Sequence, residues 1–208
     1  VIVGLTDDFN LINVRGSGLG SFTVSYLTLQ GGSKGVHITS DGLDTWFQPN
    51  GINFKYVVFR NQATYGIEVA QMYGMDNCMF ESVYFMNMPI GFKQTPDPAY
   101  GGFETNHMTY IDKTVFYNCQ AINCGTGFSL RTARADNLNA WINCNFDSNV
   151  IAIDLNAHNA PIVINCDFKN NTGTHIIEAT PSIGLYSCNF SNNTATNVIK
   201  GETVNIEG

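Results

Sequence analysis

Asn165-Cys166-Asp167-Phe168-Lys169-Asn170-Asn171 comes back 22 residues later as Ser187-Cys188-Asn189-Phe190-Ser191-Asn192-Asn193. Outward from this pair, the pattern Cys/Thr/Val-x-Phe-x-Asn/Ser is met at Val57–Asn61, Cys78–Ser82, Thr114–Asn118, Cys144–Ser148, Cys166–Asn170 and Cys188–Asn192. Successive phenylalanines of this series lie 21, 36, 30, 22 and 22 residues apart, so the short spacings give the repeat and the long ones carry insertions. After a turn, each Phe is followed by a second short apolar run: Gly66-Ile67-Glu68-Val69, Gly91-Phe92-Lys93, Gly127-Phe128-Ser129-Leu130, Ala152-Ile153-Asp154-Leu155, His175-Ile176-Ile177 and Asn197-Val198-Ile199. An earlier repeat shows as Tyr26-Leu27-Thr28-Leu29 followed by Gly35-Val36-His37-Ile38.

A repeat of about 22 residues with strand-like alternation cannot bury its inward side alone and must stack on copies of itself. Parallel stacking at about 4.8 Å sets equivalent residues over one another. The predicted fold is all-β, a single-stranded right-handed parallel β-helix (solenoid) with coils of about 22 residues. Three internal ladders are expected: Phe59, Phe80, Phe116, Phe146, Phe168 and Phe190; Cys78, Cys144, Cys166 and Cys188; and the Asn or Ser residues that close each pattern. Stacked aromatics bury large areas, and Asn tolerates the left-handed conformation that a bend requires. A leucine-rich repeat would need a dense Leu consensus and a helical stretch per repeat, and neither is present. Residues 1–21 read as a lead-in coil and 22–208 as the β-helix, with insertions at 94–112 and 131–141. Val1 in place of Met, and a last segment Thr203–Gly208 that stops in mid-alternation, read as cut or processed ends of a longer protein.

The 208 residues are 44% apolar, enough for a sizeable core. A net charge of −7 with ten Lys and Arg leaves no basic footprint for a phosphate backbone, so nucleic acid is not an expected partner. No run approaches the roughly 20 apolar residues of a membrane span, and membrane insertion is not expected. The laddered cysteines read as buried free thiols, which fits assembly in a reducing cytoplasm. Cys119 and Cys124 fall outside that ladder and are read as facing each other across a turn, without the ligand spacing of a metal site. No metal and no other cofactor is expected.

In a repeat scaffold, function concentrates in insertions and on one exposed face. The first insertion carries Tyr100, Phe103, Glu104 and His107; the second carries Arg131, Arg134, Asp136 and Trp141. They are expected to emerge side by side. Rings that stack sugars, guanidinium forks that hold acidic groups and two carboxylates for acid and base work are what a polysaccharide site needs. Glu104, Asp136 and His107 are the candidate catalytic residues, and Tyr100, Phe103, Arg131, Arg134 and Trp141 the candidate substrate-binding ones. The bland alternative is that Arg131 and Arg134 pair with Asp136 or Glu104 on a solvated loop while Trp141 starts an inward strand. The outward row Tyr56, Val58, Met79, Val115 and Tyr117 is apolar and is expected either to meet further copies of the chain around a threefold axis or to be covered by the long insertion.

The Cys-x-Phe-x-Asn/Ser-Asn units, the Asn-rich turns and the Gly-started second strands resemble the pectate-lyase-like superfamily, and within it the β-helical bodies of bacteriophage tailspikes and tail-fibre depolymerases. The resemblance covers about Phe22 to Gly208. It implies a homotrimer on the virion tail that binds, and in many members cleaves, bacterial surface polysaccharide. The Arg-x-Pro-x-x-Arg of plant-type pectate lyases is missing, as are the Gly-His-Gly and Arg-Ile-Lys of polygalacturonases, so no catalytic residue is carried over. The alternative is a non-catalytic β-helical stalk or adhesin domain.

Overall fold

The computed structural model describes residues 1–40, 47–95 and 109–207, with the side chains of 132–137, 156–159 and 181 outside the description. Among the described residues there are 22 strands and no helix. Eighteen of the strands form one sheet, and the ladders between successive repeats are parallel. Ile2–Val3 and Asn10–Gly16 join this sheet by pairing with Leu29–Gln30 and Lys34–Ser40.

Each repeat contributes three faces, each with one inward apolar column. On the first face Val24, Phe54, Phe80, Phe116, Trp141, Val163 and Leu185 follow one another in register. The second face aligns Leu29, Phe59, Phe85, Ala121, Phe146, Phe168 and Phe190. The third aligns Val36, Ile67, Phe92, Phe128, Ile153, Ile177 and Ile199. Rings stack within a column, with centroids 4.9 Å apart for Phe80–Phe116 and 4.8 Å for Phe146–Phe168, matching the spacing of neighbouring strands. Edge-to-face contacts such as Phe116–Phe128 at 4.8 Å join the columns.

The one phenylalanine ladder expected from the sequence is thus two. Phe59, Phe146, Phe168 and Phe190 belong to the second face, Phe80 and Phe116 to the first. The reason is that Val83-Tyr84-Phe85-Met86-Asn87 abuts Cys78–Ser82 and repeats its pattern, so a repeat carries the five-residue unit twice. Along the first face, Phe54 to Phe80, Phe116, Trp141, Val163 and Leu185 steps by 26, 36, 25, 22 and 22 residues. Each unit closes on a residue in the left-handed region, such as Asn118, Asn123, Asn143, Ser148, Asn165 and Asn170 with φ between +50° and +58°. One such residue turns an extended chain, and Asn adopts that conformation at little cost.

The same doubling corrects the other two ladders. Cys119, not Cys78, heads the column with Cys144, Cys166 and Cys188, one residue before the aligned pairs Gln120, Asn145, Asp167 and Asn189. Cys119 and Cys124 are five residues apart in successive units of one repeat and do not pair with each other; all six thiols are free. Asn143, Ser148, Asn165 and Asn170 face solvent, and the internal column is formed by the residue after each second bend: Asn149, Asn171 and Asn193. The Asn149 backbone N–H donates to Asn171 Oδ1 at 2.9 Å, and the Asn171 amide donates to Phe146 O at 3.1 Å and Asn193 Oδ1 at 3.0 Å. The side chains thereby supply partners to backbone groups that a bend leaves unpaired inside.

The third face opens on a column of glycines, Gly66, Gly91 and Gly127. A Cβ on Gly91 would lie 2.6 Å from Gly127 O and 2.9 Å from Phe85, so only glycine lets the repeats close there. At the far end of this face the strands end at Ser40 and Thr95, and the register shifts between Arg131 and Asp136. Residues 41–46 and 96–108 follow Ser40 and Thr95 and lie outside the description. Gln94 and Thr95 close the strand Met79–Thr95, and Tyr110–Asp112 pairs with Gly74–Asp76, so both ends of the 94–112 stretch are sheet.

Candidate functional site

The outward positions of the third face carry His37, Glu68, Lys93, Ser129, Asp154, Glu178 and Lys200, aligned one per repeat. Pleating puts them opposite the Val36-to-Ile199 column, because neighbours along a strand point to opposite sides. Several are nevertheless shielded from water: Glu68 and Asp154 are each 6% exposed and Ser129 is 2%. A buried carboxylate must be paired, and both are.

Glu68 forms an ion pair with Lys34, lies 3.4 Å from His37 Nε2, and accepts a hydrogen bond from Thr95 Oγ1 at 2.9 Å. Asp154 is gripped by Arg131 through two bonds, from Nε at 2.7 Å and from a terminal nitrogen at 2.8 Å. The fork geometry makes this pair stronger than a single contact. Ser129 Oγ lies 3.3 Å from Asp154 Oδ2 and accepts from Lys93 Nζ at 3.2 Å. Glu178 takes Lys200 at 2.7 Å and His175 at 3.3 Å, with Arg131 3.9 Å away. The row therefore carries two polar clusters, one around Glu68 with Lys34, His37 and Thr95, the other running from Lys93 through Ser129, Asp154 and Arg131 to Glu178, His175 and Lys200.

Burial lowers the Lys93 ammonium below the ordinary lysine range, although Asp154 pulls the other way. Burial, with Lys34 beside it, likewise lowers His37 against the pull of Glu68. The hydrogen bond from Lys200 holds Glu178 below the usual glutamate value. Asp154 raises the Arg131 guanidinium further. Glu178 and Asp154 stand in aligned positions on neighbouring strands, and the Arg131 guanidinium faces both carboxylates, at 2.7 Å from Asp154 and 3.9 Å from Glu178. Glu178 is held ionised, which suits a nucleophile or a hydrogen-bond acceptor and not a protonated acid.

Of the expected site residues whose side chains are described, Arg131 lies beside this row, two positions on from Ser129 on the same strand, and reaches into it to grip Asp154. Trp141 is a correction: it is fully buried, stacked on Phe116 at 5.2 Å in the first-face column, and cannot offer its ring to a sugar. Its apolar bulk fills the interior position that Phe80 and Phe116 fill in earlier repeats. The backbone of Arg134 and Asp136 belongs to the strand Gln120–Asn137, with Asp136 in register with His158, but their side chains lie outside the description. Tyr100, Phe103, Glu104 and His107 lie outside the described residues altogether. Comparison of the chain with protein-family models, curated proteins and solved structures finds no match.

The row itself was open to sequence reading. Aligning the second apolar runs by their inward residue puts His37, Glu68, Lys93, Ser129, Asp154, Glu178 and Lys200 in one position, each directly after the aligned Val, Ile or Phe. The polar shelf of the second face, with Asn145, Asp147, Asp167, Lys169 and Asn189, is more open and loosely paired, as in Lys169–Asp147 at 3.5 Å and Asn189 to Asp167 at 3.2 Å. Among the described residues no group of three or more His, Cys, Asp or Glu is placed to hold a metal ion.

Proposed function

We propose that the repeats wind as a right-handed parallel β-helix, and that this is the body of a phage-type tailspike or receptor-binding protein that recognises bacterial surface polysaccharide along its third face. The observation that carries the reading is the aligned polar and charged row from His37 to Lys200 on the outward side of a sheet. A flat run of carboxylates, ammonium groups and a guanidinium, repeated at about 4.8 Å, can hydrogen-bond a long polar polymer over many residues. Tyr100, Phe103, Glu104 and His107, which follow the strand end at Thr95 in the sequence, enter the same proposal as candidates, with Arg134 and Asp136 following Arg131.

Assembly as a homotrimer on a virion tail belongs to this reading. The outward side of the first face supports self-association, because Val115, Ile162 and, in the next column, Tyr117, Ile142, Ile164 and Tyr186 make it apolar over four repeats. Such a face is normally covered by a partner. A β-helical stalk or adhesin without catalysis is the second reading, and the pairing of Glu68, Asp154 and Glu178 with cations of the same row favours it.

The test is binding of capsular and lipopolysaccharide preparations to wild type, Lys93→Gln, Lys200→Gln and, on the second face, Lys169→Gln. Weaker binding in the first two variants and wild-type binding in the third is expected. Equal binding in all four removes the site, and no binding to any preparation removes the reading. New reducing ends or unsaturated uronate absorbance in the same incubations, lost in Glu104→Gln or Asp136→Asn, would assign cleavage.

A further inference from the structure

At the bend between the first and second faces, the left-handed position is held by Ser82, Asn118, Asn143, Asn165 and Ser187 in five successive repeats. In the two repeats before them it is held by Tyr26 and Tyr56, both with φ +55°. A tyrosine gains nothing from this conformation, which strains its Cβ against the backbone and which Asn would adopt readily. Burial does not repay the strain, since Tyr26 is 79% and Tyr56 46% exposed. The two rings lie on each other, centroids 5.1 Å apart and planes within 17°.

Lys113 and Leu138 also hold left-handed bends, so what marks this pair is two large rings stacked on each other at such bends and left in water, an aromatic surface open to a ligand. The surroundings say which kind. Tyr56 OH donates to Glu81 Oε1 at 3.4 Å, and Glu81 in turn holds Lys55 at 3.2 Å. On the first face of these repeats the outward positions hold Thr23, Ser25, Asn53 and Lys55, and past the bend stand Thr28 and Val58, so the rings stand mainly among polar groups, apart from the apolar stretch that runs from Val115 to Tyr186. Two ring surfaces are too small for a protein interface, which needs about 800 Å² per partner. They suit one sugar ring, whose C–H face packs on an aromatic while its edge hydroxyls reach a carboxylate, an ammonium and hydroxyl groups.

We propose that Tyr26 and Tyr56 form a stacking platform for a neutral hexopyranose unit, with Glu81 and Lys55 taking its hydroxyls. The platform deepens the polysaccharide reading by adding a subsite on a different edge of the molecule from the charged row. A long polymer held at both places would gain from the link between the two contacts.

The probe is a set of neutral gluco-, galacto- and manno-configured oligosaccharides, read by saturation-transfer NMR on the whole chain. At least one should show transfer to the C–H protons of one ring face, and Tyr26→Asn/Tyr56→Asn should weaken it by about tenfold or more. That double variant should also raise the unfolding midpoint, because Asn relieves the strained bend, so lost binding cannot be lost folding. Tyr56→Phe, which keeps the ring and loses the hydroxyl, should retain the transfer. No transfer to any of the set, or transfer that survives in the double Asn variant, overturns the platform. So does sedimentation showing that the wild type self-associates and the double variant does not, which would make the tyrosines a contact between copies. Binding of acidic preparations through Lys93 and Lys200 is unaffected by either result, which keeps this test separate from that of the charged row.

Discussion

Replacing Asn171 by Ala removes no charge and little apolar surface, yet it should be among the most damaging changes to this protein. The residue is fully buried, and its Oδ1 accepts from the Asn149 backbone N–H at 2.9 Å and from the Asn149 amide at 3.2 Å. Its own amide donates to Phe146 O and Asn193 Oδ1. Alanine leaves the Asn149 N–H inside without an acceptor and withdraws the donor from Phe146 O. Each orphaned buried group costs about 1–3 kcal/mol, so the change should cost about 3 kcal/mol. The adjacent Asn170 is exposed with φ +56° and bonds Asp147 at 2.9 Å, so Asn170→Gly keeps the bend and should cost under about 0.5 kcal/mol. Asn193→Ala, in the last and partly exposed position of the column, should fall between the two at about 1 kcal/mol. The assay is guanidinium unfolding followed by far-UV circular dichroism, with midpoints and slopes compared because repeat arrays need not unfold in one step. Equal midpoints for Asn171→Ala and Asn170→Gly would refute the internal column and the register that creates it.

The Trp141 indole N–H is buried without a hydrogen-bond partner among the described residues, so Trp141→Phe should cost under about 1 kcal/mol while Trp141→Ala costs about 3–5; similar losses in the same unfolding assay would contradict this. His37 titrates lower in the folded chain than its ordinary 6.5, because of burial and then Lys34, so its contribution is complete above about pH 6.5 and is lost as pH falls below it. The thermal midpoint should drop between about pH 6.5 and 5, the drop should shrink in His37→Gln, and a further fall should follow below about pH 4.5 as Glu178, lowered by Lys200, takes up its proton; a midpoint flat down to pH 5 would remove the first assignment. Burial raises the Cys78 thiol to about 12 and Cys124 to about 11, and raises Cys144 too, so a chromogenic disulfide should label native protein at the partly exposed Cys188 at most and all six thiols after unfolding. Rapid labelling of two or more native thiols would show the cysteine column to be open.

The repeat was legible because Phe146, Phe168 and Phe190 follow a strict spacing in the last three repeats. What misled was the first half, where the five-residue unit occurs with a Phe in both positions, as at Phe54 and Phe59 or Phe80 and Phe85, so that a list of matches mixes two columns. The left-handed residue every fifth position carries the true register, and it was hidden because Tyr26 and Tyr56 occupy it where Asn is expected. Of the site, Arg131 was found from its charge, but its partner Asp154 lies 23 residues on and meets it only through parallel pairing. Glu68, Lys93 and Glu178 are each a single charge in a short apolar run, and only their alignment makes a row. Trp141, at the end of the 131–141 stretch, fits both a sugar-binding ring and the start of an inward strand in the sequence, and its alignment with Phe116 sends it inward.

The proposed function has polymer bind along the third face. Hydrogen exchange of the whole chain, with and without a polysaccharide preparation that it binds, tests this directly. Protection should concentrate in the third-face segments, Tyr65–Ala70, the end of Met79–Thr95, the middle of Gln120–Asn137, Ile151–Asn159 and the start of His175–Tyr186. Protection confined instead to the first or second face, or none on addition of a bound polymer, would contradict it.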